Sequence, residues 1–374
     1  MILNVYDALF EQYGIIEEID SYILIRRFWE CGEFRLLVPY SERHIKLLKM
    51  RRLLWKPGDT EMGEIRYIYI REDSQGREMI EVHGRLITCW LGKRIVRNMI
   101  ETTATIPAIM RRIVQENVTN ATNTARRIQN ITLAPITDIS RPSIEYAVEE
   151  YQNALIAIEA AAKATFLGFG IFADVRAKTY TFRIYEGRDL TANQTVNPPC
   201  IFSKEFDNIN EQDFINGIEN FRTTAYVGGE EIKDTPRQIL EVSPQFTGLA
   251  RDEIFVSAGD LKQTYKDENN QEITISNTRY TEMLRQRGLS ELEHHTESLA
   301  FTSKVKTHSN LIYKEDYDLG DRVTCVNKRW DVRINVRITE VQEVYQRGIE
   351  EIHITFGENI PALGSVIQQL IKQG

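Results

Sequence analysis

The order of strand-like and helix-like segments restricts the folds available to this chain more than any other feature of its sequence. Residues 1 to about 98 read as β, helical segments alternate with further strands in the middle, and strands return from residue 303. A doubly wound sheet or a (β/α)₈ barrel requires a regular strand–helix repeat, which this order lacks. The sequence therefore predicts an α+β protein composed of several antiparallel β modules with inserted helices.

The N-terminal β region contains a hairpin pattern. Apolar runs at residues 64–73 and 78–91 flank a short turn that contains one glycine. Two strand-like runs joined by such a loop predict a β-hairpin. Residues 41–55 lie between the strands, and their helical spacing predicts an inserted helix.

Three further segments are predicted to be helical. Residues 143–166 form a long, Ala- and Glu-rich segment whose helix is predicted to begin at Ser140 or Ser143. Residues 278–301 form a second one. An isoleucine-rich segment contains Pro107, which suits the first turn of a helix because that turn needs no amide donor there.

A cluster of acidic residues raises the question of a metal site. Four carboxylates lie within seven residues, at Glu315, Asp316, Asp318 and Asp321. A calcium loop of the EF-hand type needs carboxylates at alternate positions and a bidentate glutamate at its end, whereas this stretch continues into strand-like residues. We therefore interpret residues 318–321 as a turn, in which Gly320 supplies a positive φ and the aspartates accept hydrogen bonds from local amides.

Catalytic and cofactor-binding motifs such as GxSxG, GxxxxGK and GxGxxG do not occur in the sequence. His294 and His295 are adjacent, whereas a zinc-protease helix needs two histidines four residues apart, so we interpret them, with Glu297, as a solvated helix surface. Acid pairs are abundant among 54 Asp and Glu residues, so glycosidase chemistry stays open. We predict no catalytic residue, cofactor or metal.

The composition of the chain limits the classes of partner that the protein is expected to bind. A net charge of −8 disfavours a general nucleic-acid-binding protein. Residues 46–56 interleave basic and apolar residues, which fits either a nucleic-acid or membrane face or, as we favour, an amphipathic helix that covers one end of a β barrel. The N-terminus has no basic residue, and the most apolar run, residues 154–172, is interrupted by Glu159 and Lys163, so neither a signal peptide nor a membrane span is expected.

The four cysteines are far apart in the sequence, at Cys31, Cys89, Cys200 and Cys325. Their spacing excludes a CxxC metal or redox pair. We interpret them as buried thiols of a protein made in a reducing compartment.

Several short segments are informative in combination. The most specific is YEGRDLTANQTVNPPCIFSKEFDNI, residues 185–209. The others, in chain order, are residues 6–41, 81–96, 248–258, 287–301, 313–327 and 355–361. This ordered set resembles the baseplate-hub, or tail-associated, proteins of long-tailed bacteriophages and prophages, and in particular a family of siphophage tail proteins of about this length.

The resemblance implies a structural role in a virion. Hub proteins of this kind look like closed homotrimers, in which each subunit contributes two barrel-like β domains of tail-tube type, so that three subunits present a pseudo-sixfold ring. The implied neighbours are the distal tail protein or tail tube, a tip or fibre protein and, as a further candidate, the tape measure protein. The particle would be assembled in the host cytoplasm, and the protein would open to let DNA leave. No cofactor is implied.

The same resemblance suggests a division of the chain. The expected parts are an N-terminal tube-like β domain (1–98), a middle α/β domain (99–230), a peripheral polar segment plus helix (231–302), a second tube-like β region that pairs with part of 176–230 (303–357) and a C-terminal helix (358–374). One face of that helix carries an apolar stripe, Leu363, Val366, Ile367, Leu370 and Ile371. We expect the stripe to pack either on its own last β region or near a threefold axis, where the tip protein would bind.

Two other functions stay open at the level of sequence. A cell-wall hydrolase embedded in the tail would need a cleft with converging acids or a metal. A host-saccharide-binding module would use aromatic side chains, for which the candidates are Trp29, Trp55, Trp90 and Trp330. These tryptophans lie in or beside apolar runs, which favours a role in core packing.

Overall fold

The computed structural model describes residues 1–72, 76–137, 139, 141–232, 235–266, 272–295, 298–306 and 309–358. Its strands are β1 (Leu3–Tyr6), β2 (Gln12–Ile16), β3 (Ser21–Arg27), β4 (Glu33–Pro39), β5 (Leu53–Trp55), β6 (Gly63–Glu72), β7 (Glu78–Leu86), β8 (Ile100–Ala104), β9 (Ile131–Leu133), β10 (Ile144–Val148), β11 (Gly168–Asp174), β12 (Thr179–Tyr185), β13 (Ile201–Ser203), β14 (Ile209–Gly217), β15 (Thr224–Gly228), β16 (Ile239–Val242), β17 (Glu253–Ser257), β18 (Thr264–Lys266), β19 (Glu272–Thr274), β20 (Ser298–Val305), β21 (Arg322–Asn327), β22 (Val332–Gln346) and β23 (Ile349–Glu358). Its α-helices are α1 (Glu42–Leu47), α2 (Ile106–Val114), α3 (Ala154–Thr165) and α4 (Asn277–His294). Short 3₁₀ helices span Ile87–Lys93, Thr124–Arg126, Gly248–Ala250 and Lys328–Trp330, and a π-helical turn spans Gln115–Thr119.

The described chain divides into two compact units. The first contains Met1–Phe214 and Phe301–Gly357, and the second contains Ile215–Ala300. Each unit has its own cluster of buried apolar side chains. The second unit is therefore an insertion with a separate core, placed between two stretches that build the first.

One sheet of thirteen strands dominates the first unit. Its order is β14-β20-β23-β22-β3-β4-β7-β6-β5-β1-β2, and β21 and β13 extend it beside β22. The strand β22 is long enough to pair with β21 along its first half and with both β3 and β23 along its second half. The N-terminal β region therefore continues directly into the C-terminal one through the β22–β3 pair.

The mostly antiparallel α+β architecture agrees with the prediction, but the sheet does not close into a barrel. Among the described strands, β2 and β14 end the order of the large sheet. To close the N-terminal strands into a barrel, β2 would have to pair with β3. Both edges of β3 are already occupied, one by β4 and the other by β22.

Two predicted helices are shorter than expected, because one end of each segment forms a strand. Residues 144–148 form β10, which pairs with β8, and their alternating apolar side chains suit such a pair. Helix α3 begins only after Asn153, whose side chain accepts hydrogen bonds from two amides of the first turn. It ends at Thr165, and the following residue, Phe166, has a left-handed conformation with φ 54°. Helix α4 ends at His294, and residues 298–305 form β20.

Of three other local predictions, two are confirmed and the third is only partly correct. The β6–β7 hairpin is confirmed, and Gly76 in its connection has a φ of 75°. Helix α2 begins as predicted, with Pro107 in its first turn. The inserted helix α1, however, ends at Leu47. Residues 53–55 instead form β5, because they pair with β1 and β6 and thereby extend the large sheet.

In the second unit, α4 packs against the sheet β16-β15-β17. The close approach of helix and sheet requires a glycine at Gly288. A Cβ atom there would lie 2.6 Å from Val227 and 2.8 Å from Val242, which is closer than side chains tolerate. We expect a larger residue at this position to push the helix off its sheet.

Candidate functional site

The contact between the N-terminal and C-terminal β regions, which we call the seam, holds several buried or partly buried charged side chains. Its backbone part is the antiparallel pairing of β22 with β3, from Glu340 opposite Arg27 to Gln346 opposite Ser21. Its side-chain part consists of two clusters of ionic groups that join residues from the two regions. Both clusters lie within the first unit.

Arg26 is the centre of the first cluster. Its side chain is only 7% exposed and forms ion pairs with Glu61 and, at 2.6 Å, with the Asp318 carboxylate. It also donates a hydrogen bond to the Tyr313 hydroxyl at 2.6 Å. Burial alone would lower the Arg26 pKa, but the neighbouring Glu61, Tyr313 and Asp318 raise that pKa well above its ordinary value. The guanidinium is therefore held permanently charged between the two β regions.

Glu343 on β22 is the centre of the second cluster. Its carboxylate is 9% exposed and pairs with the Lys56 ammonium at 2.9 Å and the Lys314 ammonium at 2.8 Å. Lys314 also reaches Asp59 at 2.6 Å. Burial raises the Glu343 pKa, but Lys314 and Lys56 outweigh it and lower that pKa to about 2. Burial beside these acids raises the pKa of Tyr22 well above its usual range.

The acidic stretch of the sequence serves this seam and forms the predicted turn. The Asp321 amide donates to the Asp318 carbonyl oxygen at 3.1 Å. The Asp321 carboxylate accepts hydrogen bonds from the Asp318 amide and from the Arg188 amide, and it forms an ion pair with the Arg188 side chain at 2.7 Å. Gly320 has a φ of 94°, and a Cβ atom there would lie 2.4 Å from Phe28. Glycine is therefore required twice over, by conformation and by space.

The partners in the seam are distant in sequence. Arg26 and Asp318 are 292 positions apart, and Lys56 and Glu343 are 287 apart. Removing one member of a buried ion pair leaves its partner without compensation, which costs more than the intact pair contributes. The seam therefore penalises any arrangement in which the two β regions separate or shift in register.

The segment on which the resemblance rests most strongly, residues 185–209, packs beside the seam as an ordered loop followed by β13. Asn208 donates to the Ile201 carbonyl oxygen at 2.8 Å and accepts from the Ser203 amide at 2.9 Å. Gln194 likewise accepts hydrogen bonds from two nearby amides and donates to two nearby carbonyl oxygens. These polar side chains hold the loop's own backbone, which accounts for the specific composition of the segment.

Other residues considered for chemistry do not come together. Among the described residues, no group of three or more His, Cys, Asp and Glu side chains is placed to hold a metal ion. His295 follows the last residue of α4 and contacts the Asn220 carbonyl oxygen at 3.0 Å, and Glu297 lies outside the described residues. The proposed C-terminal stripe also lies outside them, at Leu363, Val366, Ile367, Leu370 and Ile371.

The basic segment at residues 46–56 is divided between several roles. Lys46 pairs with Glu42 on the surface of α1, whereas Lys56 is committed to the seam. Arg52 donates to two carbonyl oxygens at the end of α1. The leucines of this segment are buried, at Leu47, Leu48, Leu53 and Leu54. The cations therefore do not form one continuous binding face.

The tryptophans do not form a single aromatic site. Trp29 and Trp90 are buried, in agreement with the prediction of core packing, but Trp330 is 45% exposed. Trp330 ends a 3₁₀ turn after β21 and therefore escapes the sheet that buries its neighbours. Trp55 is half-buried and lines a cavity of about 520 Å³ together with Phe172 and polar side chains.

All four cysteines are buried and unpaired, as the sequence predicted. The conclusion that their spacing excludes a redox pair holds only for local CxxC pairs. The Cys31 sulfur lies 3.5 Å from the carbonyl oxygen of Leu86, the residue just before the 3₁₀ helix that carries Cys89, so the fold brings the two thiols near each other. Two cysteines distant in sequence thus become neighbours because β4 and β7 pair side by side.

Sequence reasoning missed the central residues of the seam. Arg26 and Glu343 lie on strands in which a polar residue stands directly beside each of them, so each reads as an ordinary outward-facing polar position of a strand. A weak signal lies in the alternation of inward-facing and outward-facing positions along each strand. A charged residue at an inward-facing position points into the protein and needs a partner of opposite charge. The identity of the partner could not be read from the sequence.

The fold is that of prophage tail proteins. The chain is similar to prophage tail protein gp18 from Listeria monocytogenes EGD-e, with a TM-score of 0.53 and 14% identity over 100% of this chain and 99% of that one. It is also similar to a tail protein from Neisseria meningitidis MC58 (TM-score 0.55, 12% identity, 96% of each chain). A third similar structure is the 43 kDa tail protein of prophage MuSo2 from Shewanella oneidensis (TM-score 0.56, 11% identity, 95% of this chain and 98% of that one).

A family model places the chain more narrowly. Residues 2–358 match the family described as Siphovirus ReqiPepy6 Gp37-like protein, so the chain belongs to this siphovirus tail protein family. The resemblance noted from the sequence is thereby confirmed. A search of curated protein sequences gives no significant match. Within the described residues, no helix has the length and apolar character needed to cross a membrane.

Proposed function

We propose that this protein is a structural hub at the end of a phage or prophage tail. The observation that carries the proposal is the seam, in a chain that belongs to a siphovirus tail protein family. Two β regions from opposite ends of the chain share one sheet and are locked by buried ion pairs. A subunit that must transmit load between two rings needs such a fixed connection, whereas a protein that performs chemistry needs a cleft with converging reactive groups.

The symmetry of the proposed assembly follows from these two regions. Residues 1–98 and 303–357, the latter together with part of 176–230, act as two tail-tube-type β domains of one subunit. Three subunits in a closed ring then offer six such domains to a hexameric ring above. The rest of the middle domain (99–230) and the peripheral segment with its helix (231–302) lie outside this repeated part.

In this account the protein joins the distal tail protein or tail tube to the tip or fibre protein and contacts the tape measure protein on the channel side. It works without a cofactor and without catalysis. DNA ejection requires the trimer to open at its lower end while the seam keeps each subunit intact. The C-terminal stripe supplies the axial contact, through Leu363, Val366, Ile367, Leu370 and Ile371.

A saccharide-binding role is the second candidate, and one observation favours it. Trp55 and Phe172 line the cavity of about 520 Å³ together with Asp59, Asp174 and Arg183. An aromatic face beside carboxylates and a guanidinium is the chemistry that a sugar ring requires. Binding of host-wall glycans that is lost in Trp55→Ala would support this candidate and would add to the structural role.

Copy number in the particle tests the proposal. Purified particles are digested, and peptides of this protein and of the tail-tube protein are quantified against labelled standards. The proposal predicts three copies of this chain for each tail end, which is half the number of subunits in one hexameric tube ring. Six copies for each tail end, or a stoichiometry that differs between preparations, contradict it.

A further inference from the structure

Cys31 and Cys89 occupy a setting that the structural role does not use. Cys31 lies in the loop between β3 and β4, and Cys89 lies in the 3₁₀ helix Ile87–Lys93. Both are nearly inaccessible, at 2% and 4% exposure, and both are free thiols. The Cys31 thiol donates a hydrogen bond to the Leu86 carbonyl oxygen at 3.5 Å, and Leu86 directly precedes the helix that carries Cys89, so the two thiols lie near each other.

A guanidinium faces one of the two sulfur atoms. The Arg66 side chain donates a hydrogen bond to the Cys89 sulfur at 3.2 Å. The nearby Cys31 thiol and the hydrogen bond from Arg66 together overcome burial and lower the Cys89 pKa to about 7. The nearby Cys89 thiol and burial raise the pKa of Cys31. The pair is therefore asymmetric, with the negative charge of a thiolate favoured on Cys89.

Glu64 weakens the preference for a thiolate on Cys89 without abolishing it. Its carboxylate is buried and pairs with Arg66 and with the Lys93 ammonium, and it accepts a hydrogen bond from Trp90 at 3.0 Å. The Cys89 sulfur lies 3.9 Å from this carboxylate, which opposes the thiolate. Two cations therefore accompany one carboxylate around Cys89.

A cavity of about 540 Å³ gives small molecules a route to Cys89. It is lined by Cys89, by the cations Arg66, Arg85 and Lys93, and by Ile156, which is 57% exposed. Cys31 does not line it. A small polar oxidant in this cavity meets the Cys89 sulfur first and has no direct path to its neighbour.

We propose that Cys31 and Cys89 form an oxidation-sensitive thiol pair, in which a peroxide that enters the cavity is reduced while the two thiols join as a disulfide. The Cys89 thiolate attacks one peroxide oxygen, the O–O bond breaks, and the released oxygen leaves as water after taking up a proton. Cys89 is then a sulfenic acid. Cys31 attacks its sulfur, an S–S bond forms, and the second oxygen leaves as water with the Cys31 proton.

The disulfide would connect the β3–β4 loop covalently to the 3₁₀ helix after β7. The loop directly follows β3, the strand that carries the N-terminal half of the seam. Oxidation after release from a reducing cytoplasm would therefore fasten this part of the subunit. The other two cysteines lack this setting, since burial raises the pKa of Cys325 well above its ordinary value and raises that of Cys200 to about 11.

The test uses the full chain, reduced and then exposed to hydrogen peroxide at pH 7. Remaining thiols are alkylated, and the digest is analysed by mass spectrometry without reduction. We expect a linked peptide that joins Cys31 to Cys89 in the wild type and in Cys200→Ser. In Cys31→Ser, Cys89 is expected to proceed to the sulfinic acid, because no second thiol resolves the intermediate.

A second measurement needs no disulfide to form. The rate at which iodoacetamide modifies each cysteine is followed against pH. Cys89 should react at least about fivefold faster than Cys325 at pH 7, and Arg66→Gln should move the midpoint of its pH profile upwards by about one pH unit. Arg97→Gln, which removes a surface ion pair with Glu150, serves as the control and should leave the profile unchanged.

Two results overturn the proposal. The first is peroxide oxidation that leaves Cys31 and Cys89 unlinked, or that links either of them to another cysteine. The second is a Cys89 profile that matches Cys325 or that is unaffected by Arg66→Gln.

Discussion

Replacing Glu343 by Gln removes the negative centre of the second ionic cluster and should destabilise the first unit measurably. The Glu343 pKa is lowered from 4.5 to about 2, which corresponds to about 3 kcal/mol at 1.36 kcal/mol per pKa unit. Its partners Lys56 and Lys314 are 29% and 34% exposed, so solvent screens part of this interaction. We expect the substitution to lower the free energy of unfolding by about 2 kcal/mol at pH 7.

The pH dependence of this effect has a definite sign. Because the folded-state pKa of Glu343 lies below its ordinary value, the carboxylate contributes stability above pH 4.5, and that stability is lost as the pH falls towards 2. The difference between wild type and Glu343→Gln should therefore be largest at neutral pH and should shrink through this window. A difference that stays constant down to pH 2 contradicts the reasoning.

Urea unfolding followed by tryptophan fluorescence measures this difference. All four tryptophans belong to the first unit, so the signal reports the part of the protein that contains the seam. Glu42→Gln is the matched control, because its pair with Lys46 is 87% and 75% exposed and should be worth less than about 0.5 kcal/mol. If both variants unfold at the same urea concentration, the seam does not stabilise the subunit as described.

Three further outcomes are expected. Gly320→Ala should lower the melting temperature of the first unit by several degrees, because an alanine there would combine a strained positive φ with a clash against Phe28. Calorimetry measures the melting temperature, and an unchanged value contradicts the proposed role of the turn. Deleting residues 361–374 should abolish trimer closure or recruitment of the tip protein, as read from native mass, while the melting temperature of the remaining chain stays the same. A much lower melting temperature would instead assign the C-terminal stripe to its own domain. On peptidoglycan gels with metals supplied, the protein should produce no lysis band, and a band abolished by one Asp or Glu substitution contradicts the structural role.

Features fixed by a few neighbouring residues could be predicted from the sequence. The turn at residues 318–321 is one example, because Gly320 and the flanking aspartates determine its conformation locally. The β6–β7 hairpin and the start of α2 at Pro107 are others. In each, the decisive groups lie within a few positions of each other.

Features that depend on distant partners could not be predicted in this way. Residues 144–148 adjoin the Ala- and Glu-rich stretch that forms α3, and their pairing with β8 separates them from that helix. Arg26 gives no sign in the sequence that Asp318 is its partner. The open sheet follows from the same cause, since the pairing of β3 with β22 decides whether the N-terminal region can close.

The most direct test of the proposed role is a symmetry-resolved image of the tail end with this protein in place. We expect three copies in a closed ring, each with residues 1–98 and 303–357 at alternate positions around a pseudo-sixfold circle beneath the hexameric ring. The seam should be intact in every copy. A ring of six copies, a twofold dimer, or a subunit whose two β regions are separated would contradict it.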